Sequence, residues 1–163
     1  KVINLKSLLF CAMLVLTMSL NTVNAQAGAL DYLGHTIDGS ELTNEMESIG
    51  NYQSVARSTY LHQGFVRITN NGGGYVGIGA GTECNVTCGT VKLNVYLERS
   101  SGSEDFYSYK KWENVDYNTS SLYLNQQVKV EKGYYYRLRG YHSCTKNGVL
   151  ENGASRTDGI YIG

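Results

Sequence analysis

The feature that most constrains this chain is a strict two-residue alternation. From Val91 to Glu98, the apolar Val91, Leu93, Val95 and Leu97 alternate with Lys92, Asn94, Tyr96 and Glu98. Successive side chains of a strand point to opposite faces, so this segment reads as a half-buried β-strand. A helix would spread the same four apolar residues around its circumference.

Similar signals recur along the chain. Phe65–Thr69 and Tyr75–Ile78 flank Asn70, Asn71 and Gly72–Gly74, residues that tolerate positive φ, which predicts a hairpin. Ser100–Ser103 turns the chain into Phe106–Trp112. Leu122–Leu124, Val128–Val130, Tyr134–Leu138 and Ile160–Ile162 complete the expected strands. The chain of 163 residues contains no proline, so its 19 glycines must make most turns. No helical crossovers separate the strands. The expected fold is an all-β, antiparallel, immunoglobulin-like β-sandwich of about seven or eight strands, with a closed barrel as the runner-up.

The first 25 residues read as an address. Lys1 and Lys6 precede a mostly apolar run from Leu8 to Leu20, and Val23 and Ala25 suit a cleavage site after Ala25. The run is too short to cross a bilayer as a helix, and no later segment is long and apolar enough. The chain starts at Lys1, so an initiator Met is expected ahead of it. Residues 26–58 are polar and acidic, and read as a flexible leader with one short helical turn near Leu42–Ile49. The expected organisation is therefore a signal peptide at 1–25, a leader at 26–58 and a β-sandwich domain at 59–163. The full chain carries 14 basic and 14 acidic residues, and loss of Lys1 and Lys6 leaves a net charge of −2. No basic excess points to nucleic acid. Secretion is expected, with no membrane association after cleavage.

Two resemblances add to this reading. The run Gly133–Gly140, the Asn147-Gly148 loop and the closing Thr157–Ile162 strand resemble the last two strands of a fibronectin type III or other immunoglobulin-like domain. More broadly, Asp38–Thr43, Tyr60–Gly64, Val91–Arg99 and Gly133–His142 resemble a family of small secreted proteins of Gram-positive, clostridia-like bacteria. That family is a domain of unknown function. The resemblance implies an extracellular β domain and transfers no catalytic residue.

Candidate chemistry is sparse. Cys84, Cys88 and Cys144 remain after signal cleavage. Cys84 and Cys88 would lie about 13 Å apart on a straight strand, and a turn between them would bring them into bonding range. In an exported protein Cys84–Cys88 is the expected disulfide, and pairing of Cys144 with either is the alternative. The spacing does not match a zinc module, so no metal and no cofactor is expected. His142 and Cys144 share a strand face without an evident third group, and read as a surface His and a structural or free Cys. Glu104, Asp105, Glu113 and Asp116 fall at turns and read as solvated charges rather than a hydrolytic pair.

The informative surplus is aromatic. All 14 tyrosines fall after residue 25. Tyr107, Tyr109, Trp112, Tyr135 and Tyr141 are the candidate binding residues, because alternating strands cannot bury them all. The expected function is non-catalytic binding outside the cell or at its envelope, with carbohydrate or protein as ligand. A small secreted antimicrobial or toxin is the alternative. Nothing in the sequence indicates an oligomeric state.

Overall fold

The strands follow the alternation but run much longer than it suggested. A computed structural model describes residues 28–53, 58–102 and 105–163; the expected signal segment lies outside them. After a 3-10 turn at Ala29–Tyr32 come β1 (Thr36–Ile37), β2 (Ser40–Thr43), β3 (Glu47–Gln53), β4 (Leu61–Asn70) and β5 (Tyr75–Ser100). Then follow β6 (Tyr107–Lys129), β7 (Tyr134–Lys146), β8 (Val149–Arg156) and β9 (Gly159–Ile162). The predicted hairpin is present, with Asn70 opposite Val76.

β5 joins two predicted strands into one, and β6 spans most of three. Left straight, a strand as long as β5 would run about 85 Å. It does not run straight. Its register against β6 shifts between Glu83 and Cys88, and β6 carries a positive φ of 53° at Asn118 on the same level. An irregularity of this kind bends the strand and sharpens its twist. The first half of β5 therefore lies between β4 and the end of β6, while its second half lies between β7 and the start of β6.

The result is one curled, open sheet, a half-barrel. Its order is β1-β2-β9-β7-β5-β4-β3, with β6 on β5 and β8 on β7 as side branches. The sheet is mixed, which corrects the purely antiparallel expectation: β2 pairs parallel to β9, with Leu42 opposite Gly159. Hairpins force antiparallel neighbours, but segments this distant in sequence meet under no such constraint.

Residues 36–53 are also corrected. They form β1, β2 and β3 rather than a flexible leader or a helical turn. Backbone ties hold them: the Glu41 amide donates to Asp158, and the Asp158 amide donates to Ser48 Oγ. The polar composition misled because short edge strands need only a few buried anchors, here Ile37, Ser40, Leu42 and Gly50.

Curling brings the inner face of β3 and β4 onto that of β7 and β8. Val91, Leu93, Val95 and Leu97 are fully buried in the core, as alternation required. His142 is a correction, because it lies on this inner face and is buried. Its Nδ1 is 2.9 Å from Thr82 Oγ1 and its Nε2 is 2.7 Å from Ser155 Oγ. The ring packs flat on Gly64, where a Cβ would lie only 2.3 Å from it. Burial lowers the His142 pKa from 6.5 to about 4. Between those values the unfolded chain takes up a proton that the folded chain refuses. Stability is thus complete above pH 6.5 and falls towards pH 4, by about 1.4 kcal/mol per pH unit. Urea midpoints should show this fall, and His142→Asn should flatten it. A wild-type profile that is level from pH 7 to pH 5 would contradict the buried neutral ring.

Candidate functional site: an aromatic groove and a thiol cluster

The five predicted aromatic residues do not share one surface. Register decides their faces, since residues directly opposite in neighbouring strands point the same way. Tyr107 lies opposite Arg99 and Trp112 opposite Val95, both on the inner-facing side of β5. Tyr107 is exposed at the rim, whereas Tyr109 and Trp112 pack against the core. Tyr109 meets Tyr136 edge-on at 5.6 Å, and Arg99 lies over its ring. Tyr135 is fully buried, which corrects its candidacy for a binding surface. It belongs to a satellite core with Ile37, Leu42 and Phe106. Of the five, Tyr141 alone stands exposed on the outer face.

That outer face spans four strands, β6-β5-β7-β8. Lys111, Tyr96, Arg139 and Arg156 form one cross-strand row; Glu113, Asn94, Tyr141 and Ala154 form the next. Tyr96 and Tyr141 meet edge-on at 5.6 Å between centroids. Two depressions of about 520 and 470 Å³ adjoin here, and both are lined by Asn94 and Tyr141. The first adds Lys92 and Asn152, and the second adds Tyr96 and Arg139. Small Ala154 on β8, opposite Tyr141, keeps the first open.

Arg139 gives the groove its guanidinium. Its terminal nitrogens reach the Tyr141 hydroxyl at 3.4 Å and Glu98 at 3.3 Å. Its Nε is buried and donates to nothing, the one such side-chain atom found among the described residues. A buried N–H without a partner is costly.

The groove ends where the N-terminal segment covers the sheet. By parity Glu98 and Arg137 belong to the outer face, yet both are buried. Arg137 donates to Glu98, Ser40 and Asp38, so the β1–β2 hairpin sits over it. The Arg137 bonds, with help from Arg156 and Arg139, hold the Asp38 carboxyl below its usual range.

A second outer-face feature is a trough of about 540 Å³ on the other half of the sheet. Gly77 and Gly79 line it, with Arg67, Asn71, Asn125 and Gln127 around them. The spacing Gly77-x-Gly79-x-Gly81 places three glycines on one strand face.

The three cysteines converge at the bend in β5. Cys84 and Cys88 flank the irregularity, and Cys144 arrives on β7, opposite Val91. Their sulfurs all lie within 4.8 Å of one another, and all three are free thiols, so the expected Cys84–Cys88 bridge is not formed. Cys88 and Cys144 are buried, and Cys84 is half-buried. Leu61, Val91 and Leu122 surround them. Burial pushes the Cys84 thiol up to about 11 and Cys144 higher still.

Beside the cluster, Glu151 on β8 ties down the start of β4. It accepts from Ser58 Oγ and from the Thr59, Tyr60 and Leu61 amides at 2.6–2.9 Å. Partial burial works against its charge, but these donors bring its pKa down to about 2. The candidate hydrolytic groups do not assemble. Both His142 nitrogens are taken by Thr82 and Ser155, Glu113 pairs with Lys111, and Asp105 and Asp116 are exposed. Glu104 lies outside the described residues.

Comparison with known proteins gives one family. A model described as a family of unknown function (DUF6147) matches residues 32–159, and so takes in β1–β3 as well as the groove. No curated protein matches the chain.

Proposed function

The chain belongs to the DUF6147 family of unknown function, and we propose that it is a secreted, non-catalytic binding domain whose outer-face groove takes a carbohydrate. The observation that carries this reading is the exposed Tyr141, edge-on to Tyr96 and beside the Arg139 guanidinium in one groove. Sugars present apolar ring faces that stack on tyrosine and hydroxyl oxygens that accept from guanidinium and amide groups. Asn94, Asn152 and Lys92 supply further polar contacts around the rings. The signal-like segment at 1–25 and the resemblance to secreted clostridia-like proteins support an extracellular site of action. The two packed halves of the curled sheet stand, in this reading, for the layers of an immunoglobulin-like sandwich.

The test is a screen of the full chain against glycan arrays, cell-wall fragments and extracellular proteins. Tyr141→Ala is expected to weaken glycan binding about tenfold or more, the loss typical of a central aromatic contact. Tyr107→Ala, on the opposite face, should leave it unchanged. Binding of proteins alone would favour the other ligand class. An empty screen, or equal losses from both variants, would remove the groove from consideration.

A further inference from the structure

We propose that Cys84, Cys88 and Cys144 form a binding site for a soft divalent cation of the zinc type. The cluster forms by convergence of two strands. Two thiols come from the bend in β5 and the third from the neighbouring strand β7, distant in sequence. All three sulfurs nonetheless lie within 4.8 Å of one another. A tetrahedral ion with metal–sulfur bonds of about 2.3 Å holds its sulfurs about 3.8 Å apart, within that limit. A disulfide uses two of the three and leaves the third beside it, whereas one ion uses them all.

The bend itself serves this geometry. An unbroken strand would hold Cys84 and Cys88 about 13 Å apart, and the irregularity between Glu83 and Cys88 removes that separation. The surroundings match a soft-metal pocket. Leu61, Val91 and Leu122 pack around the sulfurs, and thiolate ligands select zinc or copper(I) over hard cations. Cys88 and Cys144 are buried while Cys84 is half-buried, so the cluster is open on the Cys84 side. Three thiols with one open side match the layout of a zinc site that keeps a solvent ligand.

One divalent ion forms three metal–sulfur bonds, three S–H bonds break, and three protons leave to solvent. The site then carries a net charge of −1, and a water completes the tetrahedron. No electron is transferred, and affinity should rise with pH because the thiols must deprotonate. The neighbouring Glu151 carboxylate is already engaged by four donors, which keeps it from competing for the ion.

The experiment uses the full chain purified under reducing, metal-free conditions and titrated with cobalt(II), then zinc(II). The expected result is a thiolate-to-cobalt charge-transfer band that saturates at one ion per chain and is abolished by zinc. Bound zinc should protect all three thiols from alkylation. Cys88→Ser and Cys144→Ser should each weaken zinc by more than the roughly hundredfold that loss of an outer-shell partner costs. Wild-type spectra answer even if those variants fold poorly. A separate arm with copper(I) under anaerobic conditions separates the two soft ions; saturation by copper(I) with no cobalt band would overturn the divalent assignment. A cobalt spectrum without a thiolate band would overturn the site. So would protein from its native medium with a stoichiometric disulfide among the three and no metal.

Discussion

Replacing Arg137 with Met is expected to destabilise the fold by about 3–5 kcal/mol, the cost of stranding a buried charge. Arg137 is fully buried, and Glu98 is only 7% exposed. Arg137 Nε donates to Glu98 at 2.8 Å, and its two terminal nitrogens donate to Ser40 at 2.7 Å and Asp38 at 2.8 Å. The guanidinium also lies 4.1 Å from the centre of the Phe106 ring. The substitution fills the space but leaves Glu98 with only the weaker contacts to Arg139. Against a typical domain stability of about 5–15 kcal/mol, that loss is severe. Urea denaturation should show a lower midpoint with an unchanged slope. Amide exchange should accelerate in residues 36–43, which the arginine clasps. A second change, Glu98→Met, should recover much of the loss, since an apolar pair needs no solvation. A loss below about 1 kcal/mol would place Arg137 with ordinary exposed pairs and sink the account of the covered face.

Gly50→Ala should cost about 3 kcal/mol or more, at the upper end for forced overpacking. A Cβ at Gly50 would lie 2.0 Å from the Arg156 carbonyl oxygen and 2.2 Å from its carbon. Those atoms are backbone, so no side chain can swing aside, and β3 and β8 must separate. Gly50 has no positive φ, so the effect measures the approach of the two strands rather than conformational strain. Gly→Ala in open space normally gains about 0.4–1 kcal/mol from the unfolded state. Gly89→Ala is the control. Its nearest neighbour would be the Thr145 carbonyl at 3.5 Å, so its stability should move by no more than about 0.5 kcal/mol. Equal effects at the two positions would mean that β3 and β8 do not meet as described.

Both predictions concern features that no local pattern revealed. Arg137 and Glu98 sit at outward positions of alternating strands, where sequence reasoning assigns them to solvent. They are buried because the β1–β2 hairpin, distant in sequence, folds over them. Tyr135 misled for the same reason: its parity points outward, and Leu42 and Phe106 cover it. Only Tyr141 has both the exposure and the face that a binding residue needs. Linear spacing hides the cysteine cluster, because the third thiol comes from another strand.

What the sequence determined by itself is what depends on neighbours a few residues away. Alternation set the burial of Val91 through Leu97, and Asn and Gly set the Asn70–Gly74 turn. Both follow from backbone geometry that acts locally. The tertiary structure decided which strands merge through a bend, which distant segments pair, and which outward faces are covered. Those outcomes depend on contacts across long loops, whose closure cost and packing gain are shared by the whole chain. The three thiols meet because β5 bends beside β7, and the groove ends at Arg137 because the distant β1–β2 hairpin covers it.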